Sequence, residues 1–130
     1  MRFRRTNPDD LPQLKALWAL GFGDTEQEIE AFFAISYPTA TGFCAEEDGR
    51  LVAAAYALPQ ELAWGDKTCR SAYLYAVTTH PEFRRQGICA KLLAHAEKEL
   101  KKRYFDCLTL VPATDVLRAY YETLGFVSQR

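Results

Sequence analysis

The sequence predicts one mixed α/β domain, and three observations carry that expectation. Segments with the two-residue alternation of strands are interleaved with segments whose apolar residues recur at helical spacing. The middle strands are joined by turns so short that neighbours must run antiparallel. No repeat, low-complexity stretch or linker interrupts the 130 residues, a length at which one core buries most of the apolar surface of the unfolded chain. The composition, 48% hydrophobic and 25% charged, excludes disorder as the main state. A formal net charge of -1 gives no global attraction to nucleic acid or membrane, so any anion binding has to be local.

The elements follow in order. RFRRT alternates as a short first strand. NPDDLPQLKALWAL then carries helix-start signals: Asn7 to cap, Pro8 at the first helical position, and Asp9 and Asp10 in the first turn. Leu11, Leu14, Leu17 and Trp18 share one face, and Gly21 and Gly23 are expected to end the helix. Asp24 can cap a second helix, TEQEIEAFFAI, with Ile29, Phe32 and Phe33 inward and Tyr37-Pro38 as its stop. The period then changes. TGFCAEE and RLVAAAYAL read as strands joined by the hairpin signal Asp48-Gly49; ELAW reads as another, joined through Gly65-Asp66 to the long strand KTCRSAYLYAVTT. A helix follows with Ile88, Leu92, Leu93, Ala96 and Leu100 on one side and Lys91, His95, Lys98 and Lys102 on the other. YFDCLTLV is a strand, ATDVLRAYYETL a short helix closed by Gly125, and FVSQR a last short strand. The expected order is β-α-α-β-β-β-β-α-β-α-β.

The basic N-terminus has no apolar run behind it, and no apolar run approaches the ~18 residues of a membrane span. A cytoplasmic location without membrane attachment is expected. Cys44, Cys69, Cys89 and Cys107 are widely spaced, with no C-x-x-C pair and only two histidines, so neither a metal site nor a disulfide framework is expected and the thiols should be reduced. Lys98, Lys101, Lys102 and Arg103 read as a solvated helix end that suits the helix dipole, not as a nucleic-acid patch.

The stretch HPEFRRQGICAKLL places two arginines and a glycine where a strand hands over to a helix. A helix leaves its first N–H groups unpaired and partly positive, so an anion such as a pyrophosphate is stabilised there, and Gly87 lets backbone come close. Arg84 and Arg85 add charge. Alone this is a weak signal, since many helices start after a glycine and paired arginines are usually solvated.

Its context is more specific. YLYAVTTHPEFRRQGICAKLL followed downstream by LRAYYETLGF resembles the GNAT family of N-acetyltransferases, bacterial type. The family's R/Q-x-x-G-x-G/A loop falls on Arg84, Arg85, Gln86, Gly87, Ile88 and Cys89, and its tyrosine-bearing segment on Tyr120 to Phe126; LKALWALGFGD and AEEDGRLVAAAYALP are also similar to bacterial members, so the resemblance covers essentially the whole chain. The resemblance implies a mostly antiparallel central sheet flanked by helices, with a V-shaped split between strands 4 and 5. It implies acetyl-CoA as co-substrate and no metal, with its pyrophosphate on the amides of residues 84 to 90, Ala90 included, and its pantetheine arm along the backbone of Val77, Thr78 and Thr79 at a bulge in the fourth strand. A freed amide there can polarise the thioester carbonyl.

By the same resemblance Tyr121 is the acid for the departing thiolate, while Tyr120 points to another side of the helix. Three departures stand out. Cys89 takes the position usually held by glycine or alanine; a helix N-terminus lowers a thiol's pKa and would make it the most oxidisable cysteine, although plain packing of a small residue is the simpler reading. Thr114 stands where many members have an asparagine that contacts the cofactor. SAYLYAVTT lacks the glutamate that many members use as base, leaving Glu46, Glu47, Glu61 or ordered water. Tyr73, Tyr75 and Val77 also read as core packing on one strand face.

The expected activity is acetyl transfer from acetyl-CoA to a primary amine of a small molecule or peptide. The alternative is an acyl-CoA-binding module without turnover, or a fragment of a longer two-domain acetyltransferase. Relatives usually continue through further strands after the GF pair, whereas this chain stops at Arg130. Residues 1–130 are therefore expected as one domain with its last strand truncated, and a homodimer through that edge is a reasonable expectation. The loops that would shape the acceptor site, residues 21–28 and 59–67, mix Trp64 with Asp24, Glu26, Glu28, Glu61 and Asp66.

Overall fold

The computed structural model describes residues 1–111 and 115–127. Its elements are β1 (Arg2–Arg5), α1 (Leu11–Phe22), α2 (Glu26–Ile35), β2 (Thr41–Glu47), β3 (Arg50–Trp64), β4 (Lys67–Thr79), α3 (Ile88–Lys102), β5 (Cys107–Leu110) and α4 (Asp115–Thr123). Single 3-10 turns over Pro8–Asp10, Tyr37–Thr39 and Pro81–Phe83 precede α1, β2 and the loop into α3. The strands form one sheet in the order β1-β2-β3-β4-β5, antiparallel up to β4, with β5 added parallel to β4.

Two hairpin turns set the meander. At Asp48-Gly49 both residues take positive φ, 50° and 79°, the conformation whose twist matches the flanking strands. Gly65, at φ 64°, turns β3 into β4.

RLVAAAYAL and ELAW are one strand, not two. β2 pairs with β3 only as far as Thr41 opposite Ala57, so beyond that point β3 has an open edge, where a proline such as Pro59 is tolerated. The order is therefore β-α-α-β-β-β-α-β-α over the described residues. β5 is also shorter than YFDCLTLV, since the chain enters the ladder only at Cys107. Of the expected last strand, Phe126 and Val127 carry no strand and residues 128–130 lie outside the described ones.

Helices cover both faces of the sheet. On one, Ile88, Leu92, Leu93, Ala96 and Leu100 of α3 meet Phe43, Val52, Ala55, Ala57 and Leu74. On the other, Leu14, Leu17 and Trp18 of α1 and Ile29 and Phe33 of α2 meet Cys44, Leu51, Ala54 and Tyr56. The central strand is buried on both faces, and its alanines let the helices approach closely.

Asn7 caps the turn before α1 as expected, its side chain accepting from the Asp9 amide at 2.9 Å. The first helix runs through Gly21 and ends at Gly23, φ 66°, because Gly21 is a contact residue: a Cβ built on it would lie 2.3 Å from Thr78 Oγ1 on β4. The cap of α2 is Thr25, in a reciprocal box with Glu28, and not Asp24; the Asp24 carboxylate instead accepts from Trp18 Nε1 at 2.8 Å. Arg4 on β1 reaches Asp10 (2.8 Å) and Glu46 (2.8 Å), tying the first strand to the first helical turn and to β2. Among the described residues no helix is long and apolar enough to cross a membrane.

Candidate active site

β4 pairs with β3 in register down to Tyr75 opposite Tyr56, and resumes with Thr78 opposite Ala54. Two residues, Ala76 and Val77, therefore face the single residue Ala55. This is a β-bulge, and Ala76 carries it in a left-handed conformation, φ 53°.

The bulge breaks the side-chain alternation. Leu74 packs on the α3 side; Tyr75 and Ala76 both turn to the α1/α2 side, and Val77 returns to the α3 side. Tyr73 and Tyr75 share a face, with ring centroids 6.0 Å apart, but Val77 does not join them as the alternation had suggested.

On the other edge of β4 the ladder with β5 spans only Ser71 opposite Cys107 to Leu74 opposite Leu110. β4 continues to Thr79, so beyond Leu74 its outer edge has no strand beside it among the described residues. The strands part at the level of the bulge, which gives the expected V-shaped split its physical content.

Past Thr79 the loop turns in tight steps. His80 caps the 3-10 turn, its Nδ1 accepting from the Glu82 amide at 3.1 Å, and its own amide donates to Val52 O at 2.7 Å. Arg84 folds back and donates from Nε to Thr79 O at 3.2 Å, so Arg84 clips the loop to the end of β4 and the Thr79 carbonyl is already engaged. Arg85 has φ 64° and Gly87 has φ 75°. For Gly87 the requirement is conformational, since a Cβ there would meet nothing within 4 Å. No side chain caps α3. Its first amides, from Ile88, Cys89 and Ala90, thus point out of the helix end beside the exposed side chains of Arg84, Arg85 and Gln86. An uncapped, open helix start beside two arginines fits an anionic group such as a pyrophosphate.

α4 brings its tyrosines to this same helix start. Tyr120 stands beside the Cys89 thiol, and their interaction works to lower the thiol and, with burial, raises the phenol. Tyr121 packs on the core beneath, its ring 6.0 Å from that of Phe126, and burial, with Cys89 and Tyr120 alongside, pushes its hydroxyl up to about 12. Burial likewise raises the Cys89 thiol above its ordinary value, against the lowering that its place at a helix N-terminus suggested. Cys89 is a packed small residue. Tyr120 as the partner of Cys89 was not foreseen, because nothing in the sequence says which residue of α3 the short helix will meet. Thr114 and the Trp64 side chain lie outside the described residues.

None of the three glutamates singled out as bases stands at the bulge. Glu46 is held by Arg4, Glu47 lies 3.6 Å from the N-terminal amine, and β3 separates both from β4. Glu61 is on β3 opposite Arg70, six residues and hence about 20 Å along the strand from Ala55.

With this geometry in place, the chain matches the family model described as an acetyltransferase (GNAT) domain over residues 2–128. Solved structures share the architecture. A protein of Agrobacterium tumefaciens described as an acetyltransferase is 28% identical, with a TM-score of 0.80 over 100% of this chain and 95% of that one. The aminoglycoside 6'-N-acetyltransferase AAC(6')-IG of Acinetobacter haemolyticus is 23% identical, with a TM-score of 0.79 over 100% of this chain and 93% of that one. AAC(6')-Iy in complex with a bisubstrate analogue, CoA-S-monomethyl-acetylneamine, is 18% identical, with a TM-score of 0.83 over 99% of this chain and 92% of that one. No curated protein sequence matches the chain. Bulge, split, uncapped helix start and a family match running almost end to end converge on one assignment: the protein belongs to the GNAT family of acetyltransferases and is an acyltransferase by that membership.

Proposed function

We propose that the protein transfers an acetyl group from acetyl-CoA to a primary amine of a small molecule or peptide, by direct attack within a ternary complex. The observation that carries this reading is the coincidence, along one continuous stretch of chain, of the bulge at Ala76–Val77 with the uncapped start of α3. When bound, acetyl-CoA supplies an activated thioester. The amides of Gln86, Gly87, Ile88, Cys89 and Ala90 hold its pyrophosphate, with Arg85 adding charge and Arg84 fixing the loop. The outer edge of β4 from Val77 to Thr79 offers backbone groups to the pantetheine amides, as an added strand would. A bulge amide polarises the carbonyl, and the Tyr121 hydroxyl donates a hydrogen bond to the departing sulfur.

A small-molecule acceptor is supported by the two fold relatives whose names make them aminoglycoside acetyltransferases. We read residues 1–130 as one acetyltransferase domain of a cytoplasmic enzyme that uses no metal, nucleic acid or membrane, with a homodimer through the C-terminal strand edge as one assembly to test. One observation favours a second reading, an acyl-CoA-binding module without turnover: Glu46, Glu47 and Glu61 all stand away from the bulge.

Calorimetry with acetyl-CoA followed by a thiol-release screen across amines separates the two. Binding with thiol release on at least one amine is expected. Binding without release on any amine supports the module, and absence of binding removes both.

A further inference from the structure

We infer that Cys69 and Cys107 form a dithiol site that a low-molecular-weight disulfide converts into a disulfide bond tying β5 to β4. The two sulfurs lie 3.4 Å apart although their residues are 38 positions apart in the chain. Both thiols are half-buried, hence reachable from solvent, whereas Cys44 is fully buried and Cys89 is engaged by Tyr120.

The backbone around the pair is already fixed. Asp106 donates from its amide to Arg70 O at 2.7 Å, the Arg70 amide returns a bond to Asp106 Oδ2 at 2.9 Å, and Arg70 Nη1 reaches Arg103 O at 3.1 Å. The Arg70 guanidinium also lies 4.2 Å over the Phe105 ring. Cys69 and Ser71 share a face of β4, and Cys107 stands in register with Ser71, so the two thiols point to the same side of the sheet. An S–S bond is about 2.05 Å long, so the sulfurs have to close by little more than an ångström, and because Cys69 stands two residues from the Ser71–Cys107 rung the ends of the two strands draw together as the bond forms.

The chemistry is thiol–disulfide exchange. One cysteine thiolate attacks a sulfur of RS–SR, forming a protein–SR mixed disulfide and releasing RS⁻. The second thiolate attacks the protein sulfur of that mixed disulfide, forming the Cys69–Cys107 bond and releasing the second RS⁻. Two protein thiols lose two electrons and two protons; the small disulfide gains the electrons and leaves as two thiols. The Cys107 contact pushes the Cys69 thiol up to about 11, so the exchange accelerates as pH rises. The bond would sit at the closed end of the split, before the Ser71–Cys107 rung.

The test is to incubate the whole protein with oxidised glutathione at mildly alkaline pH, cap remaining thiols with maleimide under denaturing conditions, and read mass and peptide map. Two of the four thiols should disappear with no glutathione retained, and a peptide linking Cys69 to Cys107 should appear and be lost on reduction. Cys69→Ser and Cys107→Ser should each abolish that link and leave the remaining cysteine of the pair carrying glutathione. Circular dichroism confirms that both variants fold. Four cappable thiols after treatment, a stable glutathione adduct on the wild-type pair, or a bridge involving Cys44 or Cys89 would each overturn the assignment.

Discussion

Tyr121 keeps its proton to about pH 12 because it is buried beside Cys89 and Tyr120. An ordinary thiol has a pKa of about 8.5, more than three units lower, so full proton transfer from the phenol to a departing thiolate is unfavourable by more than a thousandfold. Tyr121 therefore acts by donating a hydrogen bond to developing charge. A hydrogen bond to a charged group contributes about 1.5–3 kcal/mol, so Tyr121→Phe should lower kcat by about tenfold to a hundredfold with little change in KM for acetyl-CoA. Steady-state kinetics on a productive amine checks this, and an unchanged maximal rate withdraws the role. Phenylalanine preserves the ring packing on Phe126, so the change reads chemistry more than fold. The residue scale was also where sequence reasoning met its limit. Gly87 was singled out as a point of close backbone approach, and its left-handed φ of 75° adds a conformational requirement that the sequence did not state, while the environment of Cys89 depends on how deeply α4 covers it, which no local pattern states.

Among the elements, the contact between α1 and β4 links a helix to the strand that carries the bulge. Thr78 is nearly buried, and its hydroxyl occupies the space a side chain at Gly21 would need. Replacing glycine by alanine inside a helix gains about 1 kcal/mol of intrinsic propensity, but overpacking at such a contact costs about 1–3 kcal/mol. The second effect should win. Gly21→Ala is expected to lower unfolding stability by about 1 kcal/mol in urea titrations and to weaken acetyl-CoA binding, because it displaces the strand just past the bulge. Increased stability would mean that Thr78 swings aside without cost. Each helix face was legible from apolar spacing, and α3 buries the five residues its period selects. The β3 strand was divided in two, with Pro59 and Gln60 left between RLVAAAYAL and ELAW; only the pairing partners show that one edge is open there and lets the strand run on.

For the molecule as a whole, Arg4, Asp10 and Glu46 hold the N-terminal strand in place. The Arg4 guanidinium beside Asp10 keeps that carboxyl below its ordinary 3.8, so the stability it confers is complete above that value and is lost as pH falls through the lower folded value. Asp10→Asn should cost about 2 kcal/mol at neutral pH, and its deficit relative to wild type should shrink below about pH 4. Unfolding midpoints across that range check the sign; a deficit constant with pH would show that Asp10 acts through packing alone. The global architecture was legible because two motifs recur in the right order, strand–loop–helix and then YYETLGF. Which loops would meet was not, because that is decided by non-local packing.

The bulge at Ala76 acts as a shift of reading frame in the side-chain alternation of β4. Substitutions at Ala76 leave the frame intact, whereas its deletion would bring Val77 opposite Ala55 and close the ladder with β3 while every remaining side chain keeps the face it already holds. The strand would become more regular at the expense of the backbone groups that the bulge keeps out of the ladder, which would then pair with Ala55. For this segment a more regular strand and a working cleft are opposed, and a chain lacking Ala76 should unfold no more easily than the parent while losing acetyl transfer.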